Sequence, residues 1–304
     1  MIGPGDRFDY KYVPMWGTLP LWWKFGNVSD LATDSQGRIF ALDRGAHPVV
    51  VLDPRDGGFI TAWGEGLFTG AHGLYIDSKD FVYVVDSGHH QVYKFTPDGK
   101  LLREWGTRDG PSATFYAEPF SAPTGVAFGP SGKMYVSDGY GNFKVQVFDQ
   151  EGNFLTSWGS PGTGPGQFAV VHSIDVGPDE RVYICDRENR RVQVFDENGR
   201  YLTEWGGMNL PVDVRVKGDV VYVLEEGNDW ASSGTMYGPS GVSIFSSDGK
   251  LLKRWHEGEH GTVGLFNIHG ITVDHEDNIY ATQIYDSRSM IPYPTGIFKF
   301  ARQK

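Results

Sequence analysis

Apolar positions along this chain alternate with polar ones in short runs, and each run is closed by Gly, Asp, Asn or Pro. That period of two, punctuated by turn-formers, predicts strands joined by tight hairpins. The runs recur as one longer phrase: three apolar stretches, a D-G or N-G turn, then a stretch ending in Trp, usually followed by Gly. The clearest copies are HGLYIDSKDFVYVVDSGHHQVYKFTPDGKLLREWG at 72–106 and HSIDVGPDERVYICDRENRRVQVFDENGRYLTEWG at 172–206, with a third at 123–159. Weaker copies begin at 29–45, span 211–227 with 241–255, and end the chain as 269–283 with 296–300.

Four strands per repeat is the blade of a β-propeller. The closing Trp recurs as Trp63, Trp105, Trp158, Trp205 and Trp255, and Trp16 supplies a sixth before any full repeat has begun. The last repeat lacks a fourth strand of its own. The reading is therefore all-β: one six-bladed β-propeller domain over residues 1–304, its ring closed by the N-terminal DYKYVPMWG strand pairing with GIFKF in the last blade.

Composition narrows the choice of partner. With 41 glycines and 14% aromatics, the chain is a folded, turn-rich protein. A net charge of −11 opposes binding to nucleic acid or an anionic membrane surface. No apolar run approaches the roughly 20 residues that cross a bilayer. The opening MIGPGDRFDYKYV lacks the pattern of a signal peptide, so a cytoplasmic location is expected. Cys185 is the single cysteine, has no intramolecular partner, and sits in the apolar run RVYICD as a buried structural thiol.

Aligning the repeats on their first strand places Ser29, His72, Thr124, His172, Val212 and His269 at one register. Histidine fills every second blade. First strands are innermost in a propeller, so His72, His172 and His269 are set about 120° apart around the axis, the arrangement of a three-histidine metal site. A single histidine there would only satisfy a backbone group or a water. Three converging imidazoles with no ion would crowd unpaired nitrogens into a partly desolvated channel. Neutral imidazoles suit Zn²⁺ best among common ions, with iron, copper and nickel remaining open, and three protein ligands leave a position for water or substrate.

The loop between second and third strands opens on the face where the first strand starts. These loops read DRGAH (43–47), DSGHH (86–90), DGYGN (138–142), DRENR (186–190) and EEGND (225–229). Arg44, His89, Tyr140, Arg187 and Asn189 are the side chains able to reach inward. The recurring Asp43, Asp86, Asp138 and Asp186 read as a capping device shared by the blades. Two arginines beside a Lewis-acidic ion suit a small carboxylate-bearing substrate, with a surface ion pair as the plainer reading of each. Tyr140 is the proton-transfer candidate, its phenolate favoured by nearby positive charge. His90, His256, His260 and His275 read as ordinary loop residues, and the tryptophans as blade packing.

These phrases resemble NHL repeats over nearly the whole chain. LDRGAH, HGLYID, HHQVYKF, VSDGYGN, PGQFAVVHSI and DRENRRVQVF resemble the catalytic core of the peptidyl-α-hydroxyglycine α-amidating lyases, six-bladed zinc propellers. The resemblance implies zinc on His72, His172 and His269, Tyr140 and Arg44 as the catalytic pair, and Arg187 as a substrate-binding arginine; the loop reading adds His89 and Asn189 as substrate-binding candidates. The family reaction breaks the C–N bond of a carbinolamide, giving an amide and an aldehyde such as glyoxylate. One departure is Gly270, where the family places an aspartate that helps bind a structural calcium, so a structural Ca²⁺ does not carry over on sequence. A second is the single cysteine, which precludes the family's cystines and points to a small cytoplasmic metabolite rather than a peptide hormone. Segments 227–240 and 286–295 are insertions expected to line the substrate mouth. A metal-dependent hydrolase or lactonase on the same site, and a non-catalytic interaction scaffold, are the competing readings; the three-histidine set disfavours the oxygen-rich calcium site of a lactonase and the indifference of a scaffold. Oligomeric order is not set by the sequence.

Overall fold

The computed structural model describes residues 7–112, 120–227, 239–256, 258–259, 265, 267–284 and 296–303. Six four-stranded antiparallel sheets follow one another around a ring, and no helix occurs among the described residues. Blade 1 runs Val28–Thr33, Ile39–Asp43, Val49–Leu52 and Phe59–Trp63. The first strands of blades 2 to 6 are Ala71–Ile76, Gly125–Phe128, Val171–Val176, Leu210–Lys217 and Ile268–Val273. Blade 6 takes its outer strand from the other end of the chain: Tyr10–Val13 pairs antiparallel with Ile297–Arg302, Tyr10 opposite Arg302 and Val13 opposite Lys299. The two ends thus close the ring as the repeat count requires. One element escaped the sequence reading, a short parallel pair of Ser160–Pro161 with Gln167–Phe168 between blades 3 and 4.

The repeated Trp and the repeated turn glycine explain each other. A Cβ on Gly99 of blade 2 would lie 2.6 Å from the Trp63 ring of blade 1, and one on Gly199 of blade 4 would lie 2.5 Å from the Trp158 ring of blade 3. Both glycines also hold positive φ, +89° and +80°. Each hairpin turn therefore needs glycine for its backbone and for the indole lying flat against it. The same stacking joins Trp105 to Gly152, Trp205 to Gly249 and Trp16 to Gly57. Between blades the packing is apolar, as where Trp63 meets Phe95 and Trp255 meets Phe300.

The recurring carboxylates are structural braces. Asp43 accepts from Gly26 N at 3.0 Å, Asp86 from Gly70 N at 2.8 Å, Asp138 from Ser121 N at 2.8 Å and Asp186 from Ala169 N at 2.9 Å. Glu225 takes the same place in blade 5, accepting from Asn209 N at 2.7 Å. Each ties the end of a second strand to the loop that leads into the first, which fixes the mouth of the propeller. Cys185 is fully buried and burial pushes its thiol well up, as a structural cysteine requires. His90 accepts from Ala122 N, and a ring nitrogen of His275 lies 3.0 Å from the Asp34 carbonyl. His260, residues 228–238 of the first insertion and all of 286–295 lie outside the described residues.

Candidate metal centre and its surroundings

The site begins with a defect in five of the six inner strands. In blade 2, Ala71 pairs with Asp86 and Gly73 with Val85, so His72 is the extra residue of a β-bulge. Blade 4 repeats it, with Val171 opposite Asp186 and Ser173 opposite Cys185, leaving His172 unpaired. The register also slips around His269, and around Ser29 and Val212 at the equivalent places in blades 1 and 5. A bulge bends the strand and re-aims one side chain, which turns this single position towards the axis in blade after blade.

The three imidazoles meet there. One nitrogen from each of His72, His172 and His269 lies within 4.8 Å of the others, and all three residues are buried. The opposite ring nitrogen of each is committed: His72 Nδ1 lies 2.7 Å from the Thr124 carbonyl, His172 Nδ1 2.7 Å from that of Val212, and His269 Nδ1 2.7 Å from that of Ser29. Because a carbonyl only accepts, each Nδ1 carries the proton and each Nε2 presents a lone pair to the centre. The blades that lack histidine at this register thus supply the acceptors that orient it. Burial, then the neighbouring charges, holds His72 and His172 well below the ordinary histidine range and His269 down to about 3. The centre is three neutral donors, a set that could hold a divalent transition ion.

Tyr140 caps them. Its hydroxyl lies 2.9 Å from His72 Nε2 and 3.0 Å from His172 Nε2, while its ring faces solvent at the mouth. Burial of the hydroxyl raises its pKa and outweighs the opposing pull of Arg187 and Arg44. The phenolate expected from sequence relied on a dication beside these arginines, whose pull is outweighed here by burial. Arg44 donates from Nε to the Ala71 carbonyl at 2.9 Å, beside His72. The Arg187 guanidinium sits 5.9 Å from the centre of the Tyr140 ring and pairs with Glu188 at 2.9 Å.

Two expected residues do not join this group. His89 is turned into its own blade, with Nδ1 3.0 Å from an Asp86 oxygen though too poorly aligned for a hydrogen bond, and Nε2 3.7 Å from Asp109. Asn189 donates to the Gly162 carbonyl and to Asp186, both at 2.8 Å. Asp186 captures Asn189 by a hydrogen bond and His89 lies against Asp86, placements invisible in the loop sequence.

One residue was missed. Glu226 follows the brace Glu225 just as Arg44 follows Asp43 and Arg187 follows Asp186, so the register itself carried the signal. It lies at the end of the second strand of blade 5, opposite Leu210, half-buried and within the field of Arg187 and Tyr140. Burial raises its carboxyl to about 6.

Behind the histidines the axis narrows onto a charged floor. A small cavity runs from the imidazoles to Arg215, Asp30 and Asp213. Arg215 Nη2 bonds both oxygens of Asp30 at 2.9 and 3.0 Å, and Nη1 bonds Asp213 Oδ1 at 2.8 Å. Further bonds reach across blades: Leu74 N to Asp30, Ile271 N to Asp213 and, from a third buried carboxylate nearby, Val216 N to Asp175, each at 2.7 Å. Burial opposes the charge on Arg215, but Asp213, Asp30 and Asp175 together hold its pKa above the ordinary value.

Comparisons with known proteins agree with this architecture. A family model described as a 6-bladed beta-propeller matches residues 126–230, and the NHL repeat model matches 68–95. The peptidylglycine alpha-amidating monooxygenase of Rattus norvegicus is 32% identical over 200 residues, covering 55% of this chain and 20% of the relative. The chain thus spans about a fifth of the length of the first such relatives it matches. A probable peptidyl-alpha-hydroxyglycine alpha-amidating lyase of Caenorhabditis elegans is 27% identical over 297 residues, covering 87% of this chain and 82% of the relative. Among solved structures, a streptogramin B lyase superposes with a TM-score of 0.61 at 12% identity over 99% of this chain and all of the other. A gluconolactonase of Xanthomonas campestris does so at 0.60 and 13%, covering 92% and 87%. At such identities the structures speak for the fold alone. The chain is a six-bladed propeller of NHL-type repeats that resembles the amidating lyases.

Proposed function

We propose that this protein is a zinc-dependent lyase that breaks the C–N bond of a small carbinolamide at the three-histidine centre. The observation that carries the reading is the Tyr140 hydroxyl, within hydrogen-bond distance of two of the three imidazole nitrogens that point at one place. A proton-transfer group sits on the donor set itself, an arrangement suited to catalysis rather than to a structural ion. The names of the Caenorhabditis elegans and Rattus norvegicus relatives support the same reaction class.

The donor set fits zinc: three neutral imidazoles, each with its second nitrogen fixed by a carbonyl, with room for a fourth ligand. When bound, the ion supplies positive charge that stabilises an oxygen anion developing on the substrate and lowers the pKa of the adjacent tyrosine. Tyr140 takes the proton of the substrate hydroxyl. The oxygen's electron pair then forms the C=O bond, the C–N bond breaks, and its electrons leave on the amide nitrogen, which regains a proton through Tyr140. Arg187 holds the substrate carboxylate at the mouth. Arg44, held by the Ala71 carbonyl and within the field of Tyr140, is placed to stabilise negative charge beside the reacting oxygen.

The test combines elemental analysis with turnover of an N-acyl-α-hydroxyglycine, read as glyoxylate released. About one zinc per chain with metal-dependent glyoxylate release is the expected result. Zinc uptake without cleavage, set against hydrolysis of a simple lactone, would replace the lyase with a hydrolase. A protein that takes up no transition ion has neither activity.

A further inference from the structure

Two of the three carbonyls that orient the histidines belong to residues directly followed by the floor carboxylates. Ser29, whose carbonyl accepts from His269, precedes Asp30; Val212, whose carbonyl accepts from His172, precedes Asp213. The two carboxylates are joined across the axis by the Arg215 guanidinium. The chain next to His269 offers no further carboxylate. Gly270 lies so close to blade 1 that a Cβ there would come within 2.6 Å of the Asp30 Cα and 2.8 Å of its Oδ1. An aspartate at this position, which the family uses towards a structural calcium, has no space, and the Asp30 oxygens it would adjoin are already occupied by Arg215. Calcium therefore does not fit this axis.

We infer that Arg215 is a built-in axial cation: it takes the place of a structural metal ion and acts as a positioning residue, holding through Asp30 and Asp213 the backbone carbonyls that aim His269 and His172. The guanidinium suits the task because its planar fork reaches two carboxylates at once and its charge is permanent. Asp30 also accepts from Leu74 N in blade 2, and Asp213 from Ile271 N in blade 6. One side chain in blade 5 thereby ties together the inner strands of blades 1, 2 and 6. The inference rests on the metal-centre reading for its functional consequence, but not for the cation itself.

The first experiment uses the unmodified protein: thermal melting with excess EGTA and with millimolar calcium. Coincident curves are expected, whereas a melting point lowered by EGTA and restored by calcium would overturn the built-in cation. The second measures zinc affinity, by competition with a chelator, in folded Arg215→Met and Arg215→Lys proteins. The inference expects binding about 10- to 100-fold weaker in Arg215→Met. A smaller loss is expected in Arg215→Lys, which keeps the charge without the fork and serves if the first variant does not fold. A lower melting point with unchanged zinc affinity would reduce Arg215 to a structural role and overturn the positioning claim. If the wild type takes up no zinc, the lyase proposal fails on its own. The positioning claim is then read by side-chain nitrogen NMR of the metal-free protein: Nδ1–H tautomers fixed in wild type and mixed in the variant support it, and identical tautomers refute it.

Discussion

The two ends of the central channel are built from the same inner strands and solve opposite problems. At the mouth, three imidazole Nε2 atoms converge with one Tyr140 hydroxyl between two of them; at the floor, Asp30, Asp213 and Arg215 satisfy one another and neighbouring backbone groups. Burial keeps the imidazoles neutral, because a charged ring there would be desolvated beside Arg44 and Arg187. At the floor, burial raises the Asp30 carboxyl to about 8 against the opposing pull of Arg215, while the surrounding carboxylates hold the Arg215 pKa above its ordinary value. The difference separates a surface prepared for an added group from one already complete.

Removing the donors should have the largest effect. A His72→Ala, His172→Ala, His269→Ala triple variant should lose its bound ion and all turnover while still melting cooperatively, as read by elemental analysis beside circular dichroism; retained metal would place the ion elsewhere. Tyr140→Phe comes next. It keeps the imidazoles and removes only the proton carrier, so kcat should fall by about 10²- to 10⁴-fold with metal content unchanged. A variant of near-normal kcat would move the proton transfer to another group.

Arg187→Lys should act mainly on binding. Loss of the fork on a substrate carboxylate should raise KM about tenfold, or roughly 1.4 kcal/mol, with little change in kcat. Equal loss in both constants would place Arg187 in the chemistry instead.

Glu226→Gln gives the smallest effect, and a pH-dependent one. Its folded pKa is raised to about 6 by burial, so the folded chain binds more protons than the unfolded one between the ordinary glutamate range and about 6. Stability from this group is present at low pH and is lost as pH rises through that window. Glu226→Gln should therefore match wild type at pH 4 and exceed it at pH 8 by about 1 kcal/mol, discounted for its partial exposure. Denaturant melts at the two pH values measure it, and a variant less stable at pH 8 would show that Arg187 depends on this carboxylate.

The blade count, the closure by Tyr10–Val13 and the register of His72, His172 and His269 were determined by the sequence, because each follows from local patterning repeated six times. A period of two fixes a strand, a D-G turn fixes a hairpin, and repetition fixes the ring. Tertiary structure alone decided which loop side chains face the centre. Arg44, Tyr140 and Arg187 reach it, whereas the braces Asp86 and Asp186 draw His89 and Asn189 aside. The inner-strand bulges and the pairing of Asp30 with Arg215, 185 residues apart, were likewise out of reach of sequence. Hydrophobic period and turn chemistry act between near neighbours and leave a mark in the order of residues. Competition among polar groups for the same few partners is settled only when distant strands converge on one axis.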